Sequence, residues 1–469
     1  MAGIACVSYF ALRLILLAVT INPAVPPDEA SHYGRIYFYS KTIGIPHNGP
    51  ETYSFSLLTN IPYLYYYAMG KIVLLNIGGM PNLLFLRLVN AVLSLMTVWV
   101  GFAWARMVMG GRIAPLLLLV IMTNTPMFTF LSASVNYDNL ANLFAAAAIY
   151  SFSQYLKTPR FASLNWCIVW LSAGCLTKEA MIPLAVIIAG LFAMRIFSRC
   201  IRSHAGVRPL RPQTNTFGLA PIFLTILLVT LNVRLYCGNM MSYGKLVPDF
   251  DRVVGVENAK KERIFARGWC YSNYANGVLS YEGALKAADS IQHPGDRLDA
   301  IAMIRQVRHA RESGFKPMGR LAYAAAWSDI MLGRIYGIAA HRTMEKRGVD
   351  LAAFAIVWIM AIVVFVLRFR PGAGSAPLMY SYLVAVAYVF IIMQIVNYPG
   401  YASFGIIGLA TQGRYVFPVL VPLCGFLAGT LASGSRPIVN FISFSALSTV
   451  FIIMDFPYFL SHVDWTWFY

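Results

Sequence analysis

The chain has 469 residues, 58% of them hydrophobic and only 12% charged, with a mean hydropathy of +0.63. A composition this apolar excludes an ordinary soluble domain and points to an all-α polytopic membrane protein. The net charge of +18 does not indicate nucleic acid, because the basic residues fall in short loops between apolar runs, where topology accounts for them.

A helix needs roughly 20 mostly apolar residues to cross a bilayer, and the sequence offers about eleven such segments. They fall near 3–21, 83–105, 112–131, 139–156, 163–177, 180–197, 216–236, 351–367, 376–396, 414–432 and 437–454. The first lacks a basic n-region and a small-residue cleavage site, so it reads as a retained anchor. It is stopped by Pro26-Pro27, and an outer loop, residues 22–81, follows. Within that loop Leu57 to Leu75 is apolar enough to span, yet it holds Lys71 and the tyrosines Tyr63, Tyr65, Tyr66 and Tyr67. Counting it as a span would reverse the orientation of everything after it, so it reads as an interfacial helix on the outer leaflet.

The loops carrying Arg106 and Arg112, Lys157 and Arg160, Arg195 to Arg211, Arg368 and Arg370, and Arg436 hold twelve basic residues and no acidic one. They are expected to be cytoplasmic, as is the N-terminus. All 19 Asp and Glu residues then lie on the outer side or at the outer end of a span. Three regions follow: a transmembrane core at 1–236 that includes the loop 22–81, a small and mainly helical extracytoplasmic domain at 237–350, and C-terminal transmembrane helices with an outer tail at 351–469. The middle region holds 17 basic and 12 acidic residues. Helical periodicity is visible around Ala284 to Ala288 and Leu298 to Ala310, with a turn at His293-Pro294-Gly295 and an interfacial helix at Leu321 to Met344. Cys237 and Cys270 both fall in this outer part, where a disulfide would be permitted.

Four short stretches carry candidate chemistry. In Pro26-Pro27-Asp28-Glu29-Ala30-Ser31-His32, Pro27 suits the first position of a new helix, with Asp28 and Glu29 in its first turn and His32 one turn later. Acids in a first turn are also favoured simply as caps. The second stretch is Ser134 to Asn139, which sets Asp138 at the membrane surface, where Asp138 or Asn139 equally suits a helix cap. The third is Thr177-Lys178-Glu179, whose charges could pair with each other. The fourth is Gln412-Gly413-Arg414-Tyr415, with an arginine suited to gripping phosphate or to snorkelling. A dedicated metal site is not evident: Glu29-x-x-His32 occurs once, and no HExxH is present.

Together these stretches resemble the GT-C superfamily of integral membrane glycosyltransferases, and in particular a bacterial branch of membrane proteins grouped with it. The matching pieces are Pro26-Pro27-Asp28-Glu29-x-x-His32, Asn136-Tyr137-Asp138, Thr177-Lys178 and Gln412-Gly413-Arg414-Tyr415, in the expected order. The resemblance implies a polyprenyl-phosphate sugar donor, an acidic residue of the first outer loop at the catalytic centre, and transfer on the outer face of a bacterial inner membrane. The acceptor would be a glycan, lipid or protein. Such a reaction needs a base for the acceptor hydroxyl and positive charge on the departing phosphate. Asp28 leads as base, with Glu29 the other catalytic candidate. His32 and Asp138 would orient the base or bind acceptor, and Asp28 and Asp138 could hold a divalent cation such as Mg or Mn. Arg414 and Lys178 would clamp the phosphate, with Arg87 and Lys71 as weaker candidates. Gln412, Tyr415, Tyr63 and Tyr66 would line the substrate groove. A transporter or flippase of a lipid-linked glycan is the alternative, but it would need ionisable groups along a path through the bilayer, and Arg13 is the one such group deep in a span. A non-catalytic assembly protein would leave the convergence of acids and bases unexplained.

Overall fold

A computed structural model describes residues 2–23, 25–204, 219–337, 349–368, 376–409, 411–432, 434 and 436–469. Among these residues helices dominate, and the β pairing is a single bridge between Ile21 and Phe468. Arg208, Arg211 and Arg370 of the basic loops lie outside the described residues.

Among the described residues, seven helices are long and apolar enough to cross a membrane: Ala2–Thr20, Asn82–Val108, Ala220–Tyr243, Leu351–Arg368, Ala376–Phe404, Gly413–Leu431 and Pro437–His462. An eighth results if Ile113–Thr123 and Pro126–Ser132, bent by 66°, form one span. Pro126 opens the second half of that bend, while the Asn124 and Thr125 side chains turn back onto the Val120 and Ile121 carbonyls. The expected count of eleven is therefore not reproduced by length and apolarity. Three predicted spans are helices of a different kind. Asp138–Lys157 is polar at its start, and Phe161–Cys175, with 15 residues, reaches only about 22 Å at 1.5 Å per residue. The third, Met181–His204, is apolar to Phe197.

The helix with the polar start is the hub of the bundle. Asp138–Lys157 packs against Asn82–Val108, Phe161–Cys175 and Ala376–Ile391. Its first turn is knitted to its neighbour by Asn139, which donates to Asn90 (3.0 Å) and accepts from Ser94 (3.2 Å), while Tyr65 also donates to Asn90 (3.1 Å). Arg13 belongs to a second buried tie. It pairs with Asp455, donates to the Thr123 carbonyl and lies 4.3 Å from the Tyr9 ring centroid. A charge so enclosed fastens the first helix to the last and does not line a path.

The stretch Leu57 to Leu75 is placed inward. Its helix, Leu64–Ile72, continues as a 3₁₀ turn to Leu75 and buries Tyr65, Tyr66 and Met69 against Glu29–Lys41. The tyrosines expected to anchor in lipid therefore divide: Tyr67 is exposed, but Tyr65 and Tyr66 are interior. Lys71 donates to the Tyr39 carbonyl (3.0 Å) and to that of Thr42, so it closes the end of Glu29–Lys41 and is not aimed at a phosphate site.

In the region after residue 237, the helix Leu219–Tyr243 runs past the expected boundary. Arg263–Ala275, Tyr281–Asp289 and Pro294–Glu312 share a small core of Ala266, Cys270, Tyr274, Ala284, Ala288, Ala300 and Ile304. Pro294 is the first residue of its helix and not a turn centre, with His293 as the cap. Cys237 is exposed, Cys270 is buried, and both are free thiols. The helix Arg320–Tyr336 is not a surface anchor, because Tyr323, Trp327, Met331 and Tyr336 are buried in the main core. It meets a π-helical segment, Ile392–Asn397, where the Trp327 indole donates to Asn397 (3.1 Å).

Candidate active site

Pro26-Pro27 does stop the first helix, but the next one begins at Glu29 and not at Pro27. Asp28 stands just outside, at φ 59° and ψ 10°, a left-handed conformation that a non-glycine residue adopts at a cost of about 1–2 kcal/mol. Its carbonyl accepts from the His32 amide (3.0 Å), while its side chain does not cap the helix. Instead the carboxylate accepts from Arg414 Nη2 at 2.5 Å, across 386 residues of sequence. The turn is held from outside: Asn136 donates to the Pro27 carbonyl (3.1 Å) and accepts from the Asp138 amide (2.9 Å).

Adjacent Glu29 has a different fate. Both its oxygens are gripped by Arg87, Nε to Oε1 at 2.9 Å and Nη2 to Oε2 at 2.6 Å, and Oε1 also accepts from the Val135 amide (2.8 Å). Arg87 Nη1 donates to the Ala18 and Ile21 carbonyls. The pair is wholly enclosed, so Glu29 is not placed as a base and Arg87 is not placed to meet a phosphate; together they staple the first outer loop to Asn82–Val108. Asp28 keeps 19% side-chain exposure, against 1% for both Glu29 and Asp138.

Asp138 heads its helix and pairs with Lys178, itself buried and 4.7 Å from the Tyr137 ring centroid. Lys178 thus pairs across the site and not with Glu179, which is exposed. The other Asp138 oxygen, Oδ2, lies 3.6 Å from Arg414 Nη1, beyond hydrogen-bond distance, and neither atom has a hydrogen-bond partner among the described residues. Arg414 Nε donates to Gln412 Oε1 at 2.5 Å, so Gln412 aims the guanidinium and does not line a groove. Tyr415 lies over Lys178 at 5.4 Å. Arg414 thereby sits between Asp28 and Asp138, where a divalent cation was the other expectation. Among the described residues, no group of three or more His, Cys, Asp or Glu side chains could hold a metal.

Gly413 is what lets Arg414 reach this position. A Cβ there would overlap the Arg334 carbonyl, so the QGRY turn packs directly on the backbone of Arg320–Tyr336. Gly413→Ala is expected to lower the thermal unfolding temperature and to reduce activity about tenfold or more, whereas Gly408→Ala, with open space around it, should be neutral; parallel melting curves check this.

His32 faces the same centre. It packs on Tyr137 (4.6 Å between centroids), and its Nδ1 is 2.9 Å from the Tyr66 hydroxyl. That hydroxyl already accepts from Arg35 Nη1 at 2.8 Å. Since arginine cannot accept, the Tyr66 proton is left for His32 Nδ1, which assigns the ring proton to Nε2. Nε2 is buried without a hydrogen-bond partner among the described residues. Burial, then the Arg35 charge, hold the imidazole pKa well below 6.5, so His32 is a neutral N–H donor and not a base. Tyr66 is therefore a tautomer-fixing residue, and Tyr63 sits outside the cluster at the start of Leu64–Ile72. Arg35 and Tyr66 were invisible as a unit in sequence, although Arg35 and His32 stand three residues apart on one helix face.

Residues 62–207 match the model of a family described as dolichyl-phosphate-mannose-protein mannosyltransferase. No curated protein matches the chain. The matched stretch, about a third of the sequence, includes Arg87, Asp138 and Lys178 but neither Asp28 nor Arg414. It supports placing this polytopic membrane chain in the GT-C superfamily of glycosyltransferases.

Proposed function

We propose that the protein is a membrane glycosyltransferase that moves a hexosyl or pentosyl group from a polyprenyl-phosphate donor to an acceptor hydroxyl. The transfer would take place on the outer face of a bacterial inner membrane, in assembly of a cell-envelope glycan or glycolipid. The observation that carries the reading is Arg414, held between Asp28 and Asp138 with one unspent N–H end. Phosphate binding asks for such a group. The family match agrees with a lipid-linked donor.

In this reading the donor phosphate takes Arg414, which loosens its hold on Asp28. With Arg414 drawn toward the phosphate, the Asp28 carboxylate gains basicity and accepts the acceptor proton as the new C–O bond forms at the anomeric carbon. The bond from that carbon to the phosphate oxygen breaks, and the leaving phosphate stays on Arg414. Lys178 holds Asp138, whose open oxygen faces a sugar or acceptor hydroxyl. His32 Nε2 donates to a substrate oxygen. An apolar groove of about 480 Å³ beside Glu29, lined by Tyr33, Tyr37, Phe38, Phe55 and Leu83, suits the prenyl chain better than the enclosed Tyr66 does.

The test is binding of the spent carrier, polyprenyl phosphate, to the purified protein. Arg414→Gln should weaken it about 10- to 100-fold, the worth of a charged hydrogen bond; unchanged binding would remove Arg414 from the donor site. His32 gives a second check. His32→Gln, which keeps an N–H donor, should retain most activity, while His32→Leu should lose about tenfold or more. Stability follows with a definite sign. The folded imidazole is depressed, so below the unfolded value of 6.5 the unfolded chain binds a proton that the folded one does not, and stability declines as pH falls. Melting temperatures of His32→Gln should decline less over the same range.

A further inference from the structure

A second groove, about 450 Å³, lies between Asn82–Val108, Asp138–Lys157 and Phe161–Cys175. Its lining is of two kinds. Trp99, Trp166 and Trp170 form an aromatic wall, with Trp166 and Trp170 stacked at 5.4 Å, and Trp99 is exposed on the bundle surface. Tyr150, Gln154 and Arg160 add a polar strip, and among the described residues no acidic side chain lines the groove. Along Asp138–Lys157 the catalytic candidate Asp138 is the first residue, whereas Gln154 lies 16 residues on, so the two sites are separated by about 24 Å of helix.

We propose that this groove is a binding site for an anionic glycerophospholipid, its phosphate held by Arg160 and its acyl chain laid along Trp99, Trp166 and Trp170. Charge complementarity selects the occupant: the mouth offers a guanidinium and neutral hydrogen-bonding side chains, without a carboxylate to suit an amine headgroup. The aromatic wall supplies apolar area at the depth of the acyl chain, with indole N–H groups suited to the interface. Such a lipid would brace the two helices that carry Arg87 and Asp138 against Phe161–Cys175, whose end leads into Lys178. The proposal does not depend on the catalytic reading.

The experiment uses the purified full-length chain and brominated phospholipids, whose chains quench nearby tryptophan. Brominated phosphatidylglycerol should quench at about fivefold lower concentration than brominated phosphatidylcholine, the preference one basic residue confers at a membrane surface. Arg160→Gln should erase that preference, and Ala147→Phe, which fills the groove, should reduce quenching by both lipids. Ser163→Phe serves the same end should Ala147→Phe fail to fold. Millimolar inorganic phosphate should leave the quenching in place. Equal quenching by both lipids in the wild type, an intact preference in Arg160→Gln, unchanged quenching in the filled variants, or displacement by inorganic phosphate would each overturn the proposal.

Discussion

Asp28→Asn is expected to lower sugar transfer by about 10²- to 10⁴-fold, the range of a positioned general base, while leaving the protein folded and able to bind polyprenyl phosphate. The substitution keeps the shape of the side chain and tolerates the left-handed backbone, since asparagine is at home at φ 59°. What it removes is the negative charge facing Arg414 and the capacity to take a proton. Freed from Asp28, Arg414 should hold a phosphate at least as well as before. Transfer by the variant at wild-type rate would end the assignment of Asp28 as base. Loss of both transfer and carrier binding would instead make Asp28 a support for Arg414.

Glu29, one residue away, is expected to fail in another manner. Glu29→Gln or Arg87→Leu leaves one member of an enclosed ion pair without its partner, at a cost of about 3–5 kcal/mol. The expected outcome is low yield and a marked fall in melting temperature, with the residual folded protein still active per molecule. The neighbouring contacts explain the size of the effect. Glu29 also accepts from the Val135 amide, and Arg87 also holds the Ala18 and Ile21 carbonyls, so one pair ties three chain segments together. Replacing both residues together by apolar ones should be milder than either single change. A Glu29→Gln protein with normal stability and a catalytic defect like that of Asp28→Asn would reverse the roles given to the two acids.

Much of this was legible in the sequence at the level of elements. Apolar length places the long helices, Pro26-Pro27 places the break, and four charged stretches stand near one another once the chain is folded. What periodicity does not encode is partnership. Nothing local tells Asp28 from Glu29; the difference lies in Arg87, 58 residues on, and Arg414, far beyond it. The tyrosines near residue 65 look amphipathic enough for a lipid surface, yet they turn inward because Asn90 and His32 offer hydrogen bonds there. Apolar length alone does not recover all eleven expected spans, for a related reason. Asp138–Lys157 is enclosed by other helices, so it can carry Asp138, Asn139 and Asn142 without facing lipid. The role of Gly413 was equally hidden, since it depends on the close passage of a helix that begins at Arg320.

In the proposed reaction the cluster of Asp28, Arg414, Asp138 and Lys178 moves a sugar off a phosphate carried by a prenyl lipid. The direct measurement is transfer of labelled sugar in proteoliposomes containing purified protein and a panel of polyprenyl-phosphate sugars, with release of polyprenyl phosphate followed alongside. The prediction is stoichiometric release with wild type for at least one donor, and loss of both signals in Asp28→Asn. Transfer from a nucleotide sugar alone, or release that continues undiminished in Asp28→Asn, would contradict it.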